Sequence, residues 1–384
     1  MNMKRTIFEE EHDLFREALR RYAKQEIEPK IEGWNKAGIS DRESWRKFGR
    51  AGFLGPAFPE EYGGGGGDFR YAAVVIEELA YLRAHALQTS LHADICAPYL
   101  LHYGTDAQKD KFLRGAINGD CLVAIGMTEP GTGSDLANVQ TKAIRDGDEY
   151  VINGAKTFIS NGQNCDLVIV VCKTDPAAKP AHRGISLILV ETDRPGFERG
   201  KKLDKLGLKG QDTSELFFND CRVPVSNLLG KEGQGFKQLM AQLAQERLVI
   251  GVTAIASCRR ALDDTIAYVK SRKAFGKSIA AFQNTQFKLA ELATEVEVGQ
   301  AFVDKCIAAL VAGEEITTEA SMAKWWATDL QKRLTSECLQ LHGGYGFMNE
   351  YPISADYADA AVQTIYAGTN EIMKVIIARK LGLE

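Results

Sequence analysis

The chain has 384 residues, 45 % of them hydrophobic and 26 % charged, and a formal net charge of −4. That length exceeds one ordinary core, so two or three domains of a soluble globular protein are expected. Without a long basic block, nucleic acid and anionic membrane are poor partners for it, and runs such as Leu167–Cys172 and Ile185–Val190 are too short to span a bilayer.

The opening Met1-Asn2-Met3-Lys4-Arg5 leads into Glu9-Glu10-Glu11 with no apolar h-region, which predicts a cytoplasmic protein. Residues 7–118 read as helices joined by turns, because Phe8, His12, Phe15, Ala18, Leu19 and Tyr22 recur at helical spacing. Helical periodicity returns from Phe69 to Leu101 and from Ala107 to Ile117. The glycines at 63–67 read as a flexible loop, since no strand precedes them and no Lys-Ser/Thr follows. Between Cys121 and Leu229 the texture changes. Asp146-Gly147 and Asn153-Gly154 are hairpin-type dipeptides, and Leu167–Cys172, Ile185–Glu191 and Glu215–Phe218 read as short strands. From Phe236 onward the chain is helical again, with Phe236–Arg272 predicted as one helix of roughly ten turns. Gly276, Gly313, Gly343-Gly344 and Pro352 mark the later breaks.

The expected fold is therefore mostly α with a central, small antiparallel β domain. Its divisions are an N-terminal helical domain at 1–120, a middle domain at 121–230 and a C-terminal helical domain at 231–384. No strand-GxGxxG-helix unit occurs, so a dinucleotide held in Rossmann fashion is not expected. Eight cysteines are scattered without a C-x-x-C pair, and the six histidines are equally dispersed. Small buried hydrophobes in a reducing compartment fit that pattern better than a metal site or disulfides.

Four segments carry candidate chemistry. The stretch Met127 to Asp135 is polar and glycine-rich, and its free N–H groups and the Thr128 and Ser134 hydroxyls are able to meet a heteroaromatic edge. An ordinary inter-strand loop has the same composition. In Lys156-Thr157-Phe158-Ile159-Ser160, Phe158 and Ser160 share one face of a strand, one able to stack and one to hydrogen-bond. Gln340 to Gly346 ends a helix with glycines that admit close approach of a ligand, and Ala367-Gly368-Thr369-Asn370-Glu371 starts the last helix, with Thr369 an expected N-cap. Plain helix ends are an equal reading of these last two.

Together, these segments resemble the acyl-CoA dehydrogenase family. So do Gly52-Phe53-Leu54-Gly55, Pro59-Glu60-Glu61-Tyr62-Gly63-Gly64, Arg272-Lys273-Ala274-Phe275-Gly276-Lys277 and Gly368-Thr369-Asn370-Glu371. The resemblance implies FAD between the β domain and the C-terminal helices, an acyl-CoA substrate, an electron-transferring flavoprotein as partner, no metal, and a homotetramer. Residue by residue, it assigns Met127 and Thr128 to the flavin pyrimidine edge, Phe158 and Ser160 to cover over the ring, and Ser134 to the flavin and the thioester end of the substrate. Arg272, Phe275 and Gln283 would reach the FAD of a neighbouring subunit, Gln340, Gly343 and Gly344 would line its adenosine and pyrophosphate part, and Thr369 and Glu371 would complete the site.

One position departs from the pattern. Most of the family carries a glutamate base just before the last Gly-Thr, where this chain has Ala367. The long helix offers Glu246, whose helical neighbours Leu239, Gln242, Leu243, Val249, Ile250 and Thr253 are mostly apolar. A lone carboxylate on such a stripe is costly, and desolvation raises its pKa toward that of a useful base; an ion pair with an unseen Arg or Lys is the other reading. Gln245-Glu246-Arg247-Leu248 resembles the long-chain and isovaleryl branches, which place the base on this helix and lack the glutamate at the Ala367 position. The resemblance then implies that Glu246 takes the α-proton and that the Ala367 backbone N–H polarises the thioester. It would also put Arg247 and Gly368 on the substrate side, a helix salt bridge being an equal reading of Arg247, and would send the β-hydrogen as hydride to FAD. The product would be a trans-2-enoyl-CoA from a long or branched acyl group. An oxygen-using flavoprotein, oxidase or monooxygenase, on the same fold and a catalytically silent scaffold are the rivals.

Overall fold

The computed structural model describes residues 4–87 and 89–383. Its first third is helical: α1 (Glu10–Glu26), α2 (Ile31–Ala37), α3 (Arg42–Arg50), α4 (Phe69–Tyr81), α5 (Ala97–Tyr103), α6 (Asp106–Gln108) and α7 (Arg114–Asn118). The predicted run from Phe69 to Leu101 is broken. After α4 the chain turns at Arg83, which has φ of 60°, and resumes as a π-helical segment, Ser90–Cys96, before α5. Leu82 to Leu87 are good helix formers, so propensity does not explain the break. Tertiary pairing does: the Arg83 guanidinium bonds Asp356 through Nε at 2.6 Å and Asp264 through Nη2 at 2.8 Å. The glycine run is also not slack. Gly64, Gly65, Gly66 and Gly67 each donate a backbone N–H to a carbonyl in residues 55–59, and a Cβ on Gly64 would lie 2.1 Å from the Phe58 carbonyl oxygen.

The middle third is a sheet of β1 (Val123–Gly126), β2 (Lys142–Asp146), β3 (Glu149–Ser160), β4 (Leu167–Lys173), β5 (Ile185–Glu191), β6 (Phe197–Lys202), β7 (Thr213–Pro224) and β8 (Leu228–Leu229). The order is β6-β7-β3-β2-β4-β5-β8, with β1 beside β4. Most pairs are antiparallel as expected, but β1 with β4 and β2 with β4 run parallel. Asp146-Gly147 does make a hairpin, with Asp146 opposite Glu149. Asn153-Gly154 does not: it lies inside β3 at a bulge against β7. Gly154 is needed there because its φ is 155° and a Cβ would lie 2.4 Å from the Thr141 hydroxyl. Strands β4 and β5 lack alternation because both faces are covered. Leu167, Ile169 and Val171 enter the core shared with the helices, while Val168, Val170 and Cys172 enter the core of the sheet.

The last third contains α8 (Gly235–Ser271), a two-stranded hairpin β9 (Lys273–Ala274) and β10 (Lys277–Ser278), α9 (Gln283–Val311), α10 (Thr317–His342), α11 (Pro352–Gln363) and α12 (Asn370–Lys380). Among the described residues α8 alone is long and apolar enough to cross a membrane, but 61 % of that window is buried in the protein, as in a core helix. It packs on α10, α4 and α9, and this places its middle turns between both helical thirds and the sheet.

Candidate active site

Six segments converge on one cavity. Glu246 comes from the middle of α8, Met127 and Thr128 from the exit of β1, Phe158 and Ser160 from the end of β3, and Ala367 from the turn between α11 and α12. Ile76, Leu79 and Ala80 of α4 and Leu91 and Ile95 of the π-helical segment supply apolar walls. These residues are far apart in sequence and all lie around one space.

Glu246 is 4 % exposed. Its Oε1 accepts a hydrogen bond of 2.7 Å from the hydroxyl of Tyr99, itself fully buried on α5. Burial pushes the carboxyl up to about 7, against the opposing effects of the Tyr99 hydrogen bond and the positive charge of Arg247. Among the described residues no Arg or Lys makes an ion pair with it, so the ion-pair reading of this apolar stripe does not hold. Arg247 is buried as well, reaches the Ser321 hydroxyl of α10 at 3.4 Å, and has no partner for its Nε among the described residues. Burial lowers its pKa.

Opposite the helix, two loops are braced from beneath. The Lys156 side chain, fully buried in β3, donates to the Met127 carbonyl at 3.1 Å and to Glu129 Oε1 at 2.8 Å. Glu129 also accepts from the Thr141 backbone N–H at 2.9 Å, and the Thr157 N–H donates to the Thr128 carbonyl at 2.9 Å. The segment carrying Met127 and Thr128 is thus fixed against the strand carrying Phe158 and Ser160. Phe158 has φ of 59°, and the β3–β7 register shifts between Lys156 and Ile159, so simple alternation does not hold there. Both Phe158 and Ser160 nevertheless line the cavity, with Phe158 67 % exposed.

The remaining predicted residues lie elsewhere. Arg272, Phe275 and Gln283 are exposed around the β9–β10 hairpin, and Gln340, Gly343 and Gly344 are exposed at the end of α10. The two groups adjoin: the Arg272 guanidinium lies over the Tyr345 ring at 5.1 Å, and the Tyr268 hydroxyl donates to the His342 carbonyl at 3.1 Å. None of the six lines the cavity, nor do the exposed Ser134 and Glu371. Gly368 and Thr369 follow Ala367, and Thr369 caps α12 as expected by accepting the Ile372 N–H.

These surfaces fit a flavin dinucleotide. A ring face at Phe158 and polar atoms at Thr128 and Ser160 border one cavity. At the end of α10, positions where Gly343 and Gly344 would carry a Cβ have no heavy atom within 4 Å, which leaves an open backbone edge beside a fixed cation. Sequence reading missed Tyr99 and Lys156. Tyr99 has no signal, being one aromatic in an apolar run. Lys156 has one: it follows buried Tyr150 and Ile152 on the inward face of the strand, where a charge has to be paired.

Comparison with known proteins agrees across the whole chain. Acyl-CoA dehydrogenase N-terminal, middle and C-terminal domains match residues 9–120, 124–221 and 233–382. The chain is 50 % identical over 377 residues to the mitochondrial long-chain specific acyl-CoA dehydrogenase of Rattus norvegicus, covering 98 % of this chain and 88 % of the relative. A crystal structure of an acyl-CoA dehydrogenase from Geobacillus kaustophilus superposes with a TM-score of 0.97 at 52 % identity, covering 98 % of this chain and all of that one. A glutaryl-CoA dehydrogenase from Mycobacterium smegmatis in complex with FADH2 superposes with a TM-score of 0.91 at 28 % identity, over 98 % and 96 % of the two chains. A buried carboxyl facing an apolar cavity, on a scaffold shared over its full length with these enzymes, places this chain in the FAD-dependent acyl-CoA dehydrogenase family of oxidoreductases.

Proposed function

We propose that the chain desaturates a long or branched acyl-CoA between its α and β carbons, with Glu246 as the base, and passes the electrons to an electron-transferring flavoprotein. The observation that carries this reading is the placement of Glu246, a buried carboxyl with no ion-pair partner among the described residues, on the same cavity as Ala367 and the flavin-type residues. Apolar walls from α4 and the π-helical segment suit a hydrocarbon chain. Held near neutrality by burial, Glu246 is deprotonated often enough to accept a proton and basic enough to pull one.

The backbone N–H at Ala367 donates to the thioester oxygen, which withdraws electrons from the α-carbon and acidifies its C–H. Loss of a carboxylate at 367 leaves that donor in place, since it belongs to the main chain. Glu246 removes the α-proton, the electron pair forms the new double bond, and the β-hydrogen departs as hydride. FAD, when bound, supplies the hydride acceptor, held by Met127, Thr128, Phe158 and Ser160. Ser134, Arg247 and Gly368 serve the thioester side, and Gln340, Gly343, Gly344, Thr369 and Glu371 serve the remainder of the FAD site. Arg272, Phe275 and Gln283 serve the FAD of a neighbour in a homotetramer. A silent scaffold has no use for an unpaired buried carboxyl, and nothing favours that reading.

Anaerobic titration of the purified protein with saturated acyl-CoAs of increasing length tests the proposal. Bleaching of the oxidised flavin band by long or branched acyl groups is expected. Glu246→Gln, which keeps shape but accepts no proton, should slow the reduction by about 10² to 10⁴ while substrate still binds. A variant reduced as fast as the parent would remove Glu246 from the chemistry.

A further inference from the structure

Along α10 the residues Ser321, Lys324, Thr328, Gln331 and Thr335 are all buried and share one face at three- and four-residue spacing. Lys324 is the exceptional member. It is fully buried, and among the described residues no carboxylate forms an ion pair with its ammonium. Two neutral acceptors take its protons instead. Lys324 Nζ donates to the Gly368 carbonyl at 2.8 Å and to Asn370 Oδ1 at 2.9 Å. Burial lowers this lysine to about 8, opposed by the charges of Asp329 and Glu371. A methionine would fill the same tube of space without that desolvation cost, so the charge needs an explanation other than packing.

The explanation lies one residue away. Ala367 has φ of 52°, the left-handed region that strains any residue carrying a Cβ. Such a conformation persists only where its flanks are tied. After Ala367, Lys324 holds the Gly368 carbonyl, and the Asn370 side-chain amide donates to Asp329 Oδ1 at 2.8 Å and to the Thr328 hydroxyl at 3.0 Å. Before it, the Thr364 carbonyl accepts the Asn370 backbone N–H at 3.1 Å, and the Tyr366 hydroxyl donates to Gln363 Oε1 at 2.8 Å. Four of these ties gather on Asn370 and the Gly368 carbonyl, and Lys324 touches both.

We propose that Lys324 is a positioning residue for the reaction: by gripping the Gly368 carbonyl and the Asn370 side chain it holds Ala367 in its left-handed turn, and with it the backbone N–H that meets the thioester. This rests on the reading above that the N–H at 367 is the thioester donor. Lys324 does not touch substrate. Its charge acts through the main chain, and this is why a cation is kept beneath a turn whose own side chain is only a methyl group.

Lys324→Met removes both hydrogen bonds and keeps the length of the side chain. Two measurements are made on the FAD-loaded protein. The first is the rate constant for flavin reduction at saturating dodecanoyl-CoA, with the Kd from the same titration. The second is the carbonyl stretch of bound trans-2-dodecenoyl-CoA labelled with ¹³C at the thioester, read by infrared difference spectroscopy. The variant should reduce about 10²-fold more slowly, on the order of one lost oxyanion donor, with Kd changed by less than about threefold. The carbonyl stretch should move back toward its frequency in water, because the donor has swung away. Ala367→Gly placed on Lys324→Met should recover several-fold of the rate, since glycine takes the left-handed turn without being held. Should Lys324→Met not accumulate as folded protein, Lys324→Gln, able to serve one of the two acceptors, should show a smaller loss in both measurements. A parent-like rate and carbonyl stretch in either variant overturns the inference, as does a loss confined to Kd or to melting temperature. Failure of the parent itself to be reduced by acyl-CoA counts against the proposed function and not against this clamp.

Discussion

A carboxyl that is 4 % exposed and, among the described residues, hydrogen-bonded only by a tyrosine works against the fold whenever it is ionised. Glu246 is raised from 4.5 to about 7, so between those values the folded chain binds more protons than the unfolded one, and this group's contribution falls as pH rises through that window. Above about pH 7 the penalty is complete, at most about 3 kcal/mol for a shift of this size. Glu246→Gln should therefore melt at a higher temperature than the parent at pH 8, with the gap closing toward pH 5. A lower melting temperature at pH 8 would mean that the carboxylate has a favourable partner in the folded state. Tyr99 sets the other side of this balance. Its hydrogen bond favours the ionised form, as does the charge of Arg247. Tyr99→Phe should move the acid limb of the kcat/KM profile above its parental position near 7, so that activity at pH 6.5 falls by more than activity at pH 8. The face of α8 around Glu246 was legible from sequence because a single charge broke an apolar stripe. Tyr99 was not, since nothing local marks an aromatic residue whose hydroxyl meets a helix 147 positions later.

Strand β3 shows how far an element can be read from its own residues. Its inward positions Tyr150 and Ile152 follow the alternation, and then Gly154 and the register shift before Ile159 reset it, so that Phe158 faces the cavity with a positive φ. A strand pattern predicts that Phe158 and Ser160 lie near each other, but not the bulges that aim them, because those answer to β7 and to Thr141 across the sheet. The same limit appears after α4, where helix-forming residues yield to the pairing of Arg83 with Asp264 and Asp356. Strand β5, covered on both faces and bounded by clear punctuation, was predicted over Ile185–Glu191 and is found over the same residues. The weight β3 carries is concentrated in Lys156. Replacing it with methionine leaves Glu129 buried beside its two backbone donors but without its cation, and truncating one side of such a pair costs about 3–5 kcal/mol. Lys156→Met should lower the urea midpoint by a corresponding amount and release FAD on gel filtration, since the Met127–Thr128 segment loses its brace. An unchanged midpoint would show that the Gln140 and Thr141 N–H groups are enough to hold Glu129.

For the whole molecule, the helices–strands–helices order was visible because the hydrophobic period changes twice along the chain, and the long helix α8 was found within a residue at each end. The spatial division of the candidate residues was not visible. Met127, Thr128, Phe158, Ser160, Glu246 and Ala367 surround one cavity, whereas Arg272, Phe275 and Gln283 sit on an exposed hairpin and the following helix start, with the Phe275 ring 95 % exposed. Their assignment to a neighbour's FAD, proposed above, makes each site a composite of two subunits, and mixing subunits tests it. Arg272→Ala should lose FAD, because a fixed cation is removed from beside the pyrophosphate. Glu246→Gln should keep FAD and lack the base. Each homo-oligomer is then inactive or nearly so. In a mixed oligomer formed by co-expression, the subunit carrying Arg272→Ala still has Glu246, and its FAD is completed by Arg272 from the Glu246→Gln partner, so activity should reappear at up to one competent site per mixed pair. If Arg272 instead served the FAD of its own subunit, every site in the mixture would lack either the cation or the base, and no activity would return. Isolating the mixed species with two different affinity tags and measuring flavin content beside the rate separates the outcomes. Flavin content should be about half in either case, so turnover decides: flavin with turnover places the hairpin across the interface, and the same flavin without turnover places it at home.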